Sequence, residues 1–178
     1  REIPFGNDGV YTNESLLKRI NGDLSNDLGN LVSRTTAMIN QYFGGVLPSP
    51  TEYTELDNEV IALANGTLDS VKKYIDAIDV PTALGEIFKL IQRANKYIDE
   101  TMPWSLAKDE AQKDRLAAVM YNLLEGIRIL AQLIAPICPE SSDKIIAQIK
   151  CDCDALEFGA VESYTVGEGQ PLFARLDT

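Results

Sequence analysis

Histidine is absent from this chain of 178 residues. That removes the side chain most often used for proton transfer near neutral pH, and the commonest neutral metal ligand. Cysteine is scarce. Cys138 stands alone beside Pro139, and Cys151 and Cys153 flank a single aspartate. An odd count in a chain this long does not read as a secreted disulfide framework, so free thiols are expected. Structural zinc takes about four ligands, usually paired Cys or Cys/His at wider spacing, and no second pair exists here. There is no Gly-x-Ser-x-Gly elbow and no phosphate-cradling glycine loop. Asp99-Glu100 and Asp109-Glu110 fall at expected helix ends, where solvated caps explain them better than a catalytic carboxylate pair. No run approaches about 18 uncharged apolar residues, so no segment reads as a membrane span. Positive charge is also short: Lys and Arg number 16 against 27 Asp and Glu, for a net charge of -11. Composition alone therefore weighs against a nucleic-acid partner, whose phosphates normally meet a basic surface.

What is present is a helix pattern. Hydrophobic residues make up 45% of the chain, enough for one domain with a substantial core. Thr12 is a plausible N-cap for a helix carrying Leu16, Leu17, Ile20, Leu24, Leu28, Leu31, Met38 and Ile39, stopped at Gly44-Gly45. At 1.5 Å per residue such a helix is roughly 45 Å long. A loop at Pro48-Ser49-Pro50 precedes a second helix with Leu56, Val60, Ile61, Ala64, Leu68, Val71 and Ile75 on its buried side. Asp79 and Pro81 start a third, which Pro103 interrupts. A fourth runs from Leu116 to Ile134 and is strongly apolar. A shorter fifth spans Glu140 to Lys150, ahead of a glycine- and proline-broken tail expected to be irregular or to hold a short strand. The fold class is all-α: an antiparallel bundle of about five helices with an irregular C-terminal tail. The expected division is a leading junction over 1–11, a helical domain over 12–150 and the tail over 151–178. The chain opens on Arg1 without an initiator Met, and is read as a fragment of something longer.

Two places break the packing rules. In "NDLGNLVSR", Asn26, Asn30 and Arg34 are spaced to project from one side of the first helix, beside the leucine stripe. Asparagine and a mid-helix glycine both weaken a helix, glycine by about 1 kcal/mol relative to alanine. A solvated polar face explains the row. So does a functional row of donors and acceptors, with Gly29 allowing close approach to the backbone. The second place is the only tryptophan, Trp104, which follows Pro103 at a helix break. A lone Trp usually anchors a core. An exposed one stacks on splayed bases, as in proteins that read single-stranded RNA loops. With no catalytic set in view, a binding module is favoured.

The motifs resemble bacterial methionyl-tRNA synthetases. "DGVYTNESLLKRINGDLSNDLGNLVSRTTAMINQYF" (Asp8 to Phe43) is similar to the first helix of their C-terminal anticodon-binding domain. "ANKYIDETMPWSLAKDE" (Ala94 to Glu110) carries the family's Asn-x-Tyr and Pro-Trp core. "LLEGIRILAQLIAPICPESSDKI" resembles the next helix, and "VGEGQPLFARLD" the terminal segment, with Ala174 where proline is usual. The resemblance runs nearly end to end. It implies a class I synthetase anticodon-binding bundle that recognises the CAU anticodon of tRNA(Met), so that the full enzyme can attach methionine using ATP. Both catalytic signatures and the family's zinc-binding insertion are absent from this stretch. No catalytic residue, metal ligand or cofactor is therefore expected in it, ATP and Mg2+ (with Zn2+ as a further candidate) belonging to the full enzyme. By resemblance, the anticodon-binding residues are Asn30, Arg34 and Trp104. Trp104 stacks on the first anticodon bases, and Asn30 and Arg34 bond to base edges, chiefly of the cytosine. Asn26 falls back to a structural role, tying helices together. The implied partners are the tRNA(Met) anticodon loop and the enzyme's own catalytic domain, with no membrane and no DNA, in the cytoplasm.

The acidic balance does not forbid this. At about 0.15 M salt charges are screened beyond about 8 Å, and base contacts can specify while another part of the enzyme holds phosphates. The alternatives are the anticodon domain of a sister class I synthetase, and a non-enzymatic helical interaction module with Trp104 in its core.

Overall fold

The computed structural model describes residues 3, 4 and 6–176. Residues 1, 2 and 5 of the expected junction, and 177 and 178 of the tail, lie outside it. The first helical rod is built in three pieces: α1 (Asn13–Arg19), a π-helical segment (Ile20–Gly29) and α2 (Asn30–Phe43). Thr12 caps α1 by accepting from the Ser15 N–H at 3.1 Å. The π segment is a departure from the uniform α-helix expected there. Its sequence is INGDLSNDLG, in which only Leu24 and Leu28 are good helix formers, so little α preference opposes the wider winding. Gly44, at φ 60°, takes the left-handed conformation that closes α2.

β1 (Val46–Leu47) leads to α3 (Glu55–Asp76), whose start is tied by the Thr54 N–H donating to Asp57 at 2.6 Å. Asp79 caps α4 (Val80–Thr101), with Pro81 in its first turn. A single turn, α5 (Pro103–Leu106), and a 3-10 turn (Glu110–Gln112) lead into α6 (Lys113–Ile134). α7 (Pro139–Ile149) follows. α6 is long and apolar enough by composition to cross a membrane, but it is the centre of the bundle, with α2, α3, α4, α5 and α7 packed around it. From Leu116 to Ile134 nearly every residue is buried.

The tail is pinned step by step. β2 (Tyr164–Thr165) pairs antiparallel with β1, Val46 opposite Thr165 and Leu47 opposite Tyr164. Within apolar α6, Asn122, Glu125 and Arg128 are buried at three-residue spacing. Glu125 and Arg128 form an ion pair at 2.8 Å. Arg128 also donates to the carbonyls of Ala155 and Glu157, while Glu125 accepts from the Gly159 N–H and the Tyr164 hydroxyl. Gln148 holds Gln170 through both of its amide atoms, and Asn40 donates to Gly167. The chain is thereby returned to the first rod: the Asn21 amide bonds both the N–H and the C=O of Leu176, each at 2.9 Å. The tail thus contains a short strand within otherwise irregular structure, as expected, and its backbone is bonded by side chains of the bundle, of which Glu125, Arg128 and Gln148 are buried.

Candidate nucleic-acid interface

Asn30 is the first residue of α2, where the π segment ends. Its N–H reaches back to the Ser25 carbonyl as well as to Asp27. Its side chain is exposed and makes no hydrogen bond to a described residue. Arg34 lies one turn further on, about 6 Å along the axis. Its guanidinium stands 3.6 Å from the Asp99 carboxylate in the last turns of α4. The contact is single and solvated, the Arg34 side chain being 34% exposed and that of Asp99 70%. Such pairs contribute about 1 kcal/mol or less, so Arg34 is positioned without being locked.

Trp104 comes shortly after Asp99. Met102 ends α4 with φ 45°, a left-handed cap that turns the chain sharply. Pro103 is buried and opens α5, and the Met102 carbonyl accepts from the Ser105 N–H at 2.7 Å. The break therefore has its own bonded geometry, and it projects Trp104 outward at 41% exposure. The core-anchor reading of this Trp is overturned. Pro103 takes the buried place and the indole is left at the surface, next to an exposed Met102.

The polar row on the first rod divides at Asn30. Arg34 turns to α4, whereas Asn26 and Asn30 line a groove facing Pro171, Leu172 and Phe173 of the tail. Gly29 does admit a close approach, and its partner is Phe173 of the same chain. A side-chain carbon added at Gly29 would stand 3.4 Å from the Phe173 ring and 3.2 Å from the Leu24 carbonyl oxygen. Asn26 is exposed and ties no helices. That role belongs to Asn95 on α4, which donates to the Asp27 carbonyl at 3.1 Å.

Cations near the end of α4 are paired: Arg93 with Glu59 and Glu100, Lys96 with Glu100. The end of α4 presents an aromatic ring and one loosely held guanidinium rather than a basic field, with the Asn26 and Asn30 amides set toward the tail groove. That chemistry suits base edges better than phosphates.

The model of a family described as the anticodon binding domain of methionyl tRNA ligase matches residues 47–166. The chain belongs to this family. Trp104 lies within the matched stretch, while Asn30 and Arg34 precede it. The methionine–tRNA ligase of Caldanaerobacter subterraneus subsp. tengcongensis is 49% identical over 99% of the chain, and that of Clostridium perfringens 50%. The chain spans less than a third of their length, 29% and 28%. Among solved structures, the free methionyl-tRNA synthetase of Mycobacterium tuberculosis superposes with a TM-score of 0.93 at 34% identity. That match covers all of this chain and 37% of the other. The same enzyme bound to methionyl-adenylate gives 0.91. Membership in this family sets aside the anticodon domain of a sister synthetase. No group of three or more Cys, Asp or Glu side chains is placed to hold a metal among the described residues.

Proposed function

We propose that this chain is the tRNA-reading part of a methionine–tRNA ligase, and that Trp104, Asn30 and Arg34 read the first base of the CAU anticodon. The observation that carries this reading is the shared position of two elements distant in sequence. The Arg34–Asp99 contact brings the first rod beside the last turns of α4, and the break that ends α4 projects an exposed Trp104. An unpaired cytosine stacks on the indole. Its edge offers an amino donor to the Asn30 carbonyl oxygen and two acceptors to amide or guanidinium N–H groups. Uracil reverses part of that pattern and leaves a donor facing a donor, which costs about 1–3 kcal/mol when the contact is desolvated. Arg34 exchanges a weak solvated partner for the base, so little is lost on release of Asp99. Joining methionine to the tRNA, with ATP and Mg2+, falls to the catalytic part of the ligase.

The test is a titration against two RNA hairpins carrying the tRNA anticodon loop, one with CAU and one with UAU. The reading requires tighter binding to CAU by roughly tenfold or more. Equal affinity for the two hairpins overturns it.

A further inference from the structure

Trp104 rides on the connector over 102–112, which joins α4 to α6. The helices at its two ends meet on one carboxylate. Tyr97, in the last turns of α4, donates its hydroxyl to Asp57. Arg115, in the first turn of α6, holds the same carboxylate with both terminal nitrogens, at 2.6 and 2.9 Å. Asp57 belongs to neither helix. It lies in the first turn of α3, where it also accepts the Thr54 N–H at 2.6 Å.

Asp57 and Tyr97 are fully buried, so neither can touch RNA. Two-point bonds from a guanidinium to a carboxylate are strong and directional. An enclosed carboxylate without partners is costly, which keeps both Tyr97 and Arg115 on it. The separation of the connector's two ends is thereby set by a side chain of a third helix. Asn122 of α6 adds a second hold, donating to the Tyr97 hydroxyl at 3.1 Å. From Tyr97 the constraint runs toward the indole through short bonds. The Thr101 hydroxyl donates to the Tyr97 carbonyl at 2.6 Å, and the Met102 N–H to the Ile98 carbonyl at 3.0 Å. Buried Pro103 follows, and then Trp104.

We propose that Asp57 is a positioning residue for Trp104: it clamps both ends of the connector and holds the indole in one orientation before RNA arrives. An indole ordered in advance loses less freedom when a base stacks on it. The effect on RNA rests on the anticodon reading, whereas the clamp itself does not.

Trp104 is the only tryptophan, so time-resolved fluorescence anisotropy reads its local motion without RNA. Tyr97→Phe and Arg115→Gln each remove one arm of the clamp. Ile145→Val, at a buried position of α7, lowers stability without altering it. All three are compared with wild type at a temperature where circular dichroism shows them folded. Both clamp variants should show a larger fast depolarisation than wild type, and Ile145→Val should not. Affinity for the CAU hairpin should fall about three- to tenfold in the clamp variants alone. Wild-type depolarisation in folded clamp variants overturns the proposal. So does an equal loosening in Ile145→Val, the mark of a general loss of stability. If the indole loosens while hairpin affinity stays at the wild-type value, the clamp stands and the reading of Trp104 as a stacking platform fails.

Discussion

The Arg34 guanidinium and the Asp99 carboxylate stand 3.6 Å apart, joining the first helical rod to the last turns of α4. Asp99 is the more exposed partner, and it places a negative charge beside the face assigned to RNA. Asp99→Asn should leave thermal stability within about 0.5 kcal/mol of wild type, because solvated pairs contribute little. RNA affinity should rise severalfold as Arg34 is freed and the repulsion is removed. Melting curves and hairpin titrations of the same variant check both halves, and weaker RNA binding would show that Asp99 is needed to aim Arg34.

Gly29 separates the demands of helix and tail. Alanine there gains about 1 kcal/mol of helix preference, and sets this against a 3.2 Å approach to the Leu24 carbonyl, so Gly29→Ala should be close to neutral. Valine extends further toward the Phe173 ring, and should cost about 1–3 kcal/mol by overpacking. Denaturant unfolding of the two variants measures the difference. Proteolysis should cut the tail of Gly29→Val sooner than that of wild type.

Asp57 gives the fold an acid limit. Burial pushes its pKa up, but bonds from Arg115, Tyr97 and the Thr54 N–H outweigh this and hold it below the usual carboxylate value. A depressed pKa stabilises the folded state above the unfolded value, about 3.9, and that contribution is lost as the pH falls through the folded one. Asp57 is fully buried and Arg115 lies 2.6 Å away, so Asp57→Asn should cost about 3 kcal/mol at pH 7. The gap between wild type and variant in melting temperature should narrow as the pH is lowered through 4 to 3. A gap independent of pH would mean that the charge is not what stabilises this corner.

Much of the bundle was legible because its helices carry strong local signals: Thr12 and Asp79 as caps, Pro81 in a first turn, Gly44 at a stop. The π segment was hidden, since Ile20, Leu24 and Leu28 are spaced as an α-helix would space them and the wider winding leaves no trace in that stripe. The path of the tail was hidden too. Besides the buried Tyr164, Val166 and Leu172 side chains, it is held through backbone groups, which no sequence pattern displays. The one available clue was Glu125 and Arg128, three residues apart inside an otherwise apolar helix. Trp104 was ambiguous because a core anchor and a surface platform have the same letter. The buried Pro103 beside the exposed indole resolved it. Asn26 was misread as a helix tie, a role that needed a neighbour within reach and fell to Asn95.

Trp104 is the only tryptophan, so intrinsic fluorescence reports directly on the central claim. The most direct measurement is its emission during titration with the CAU hairpin, repeated with a hairpin abasic at the first anticodon position. The account predicts saturable quenching by the intact loop, little by the abasic one, and an affinity loss on Trp104→Ala of about 1–3 kcal/mol. Emission unchanged by a hairpin that demonstrably binds would place the RNA elsewhere on the chain and contradict it.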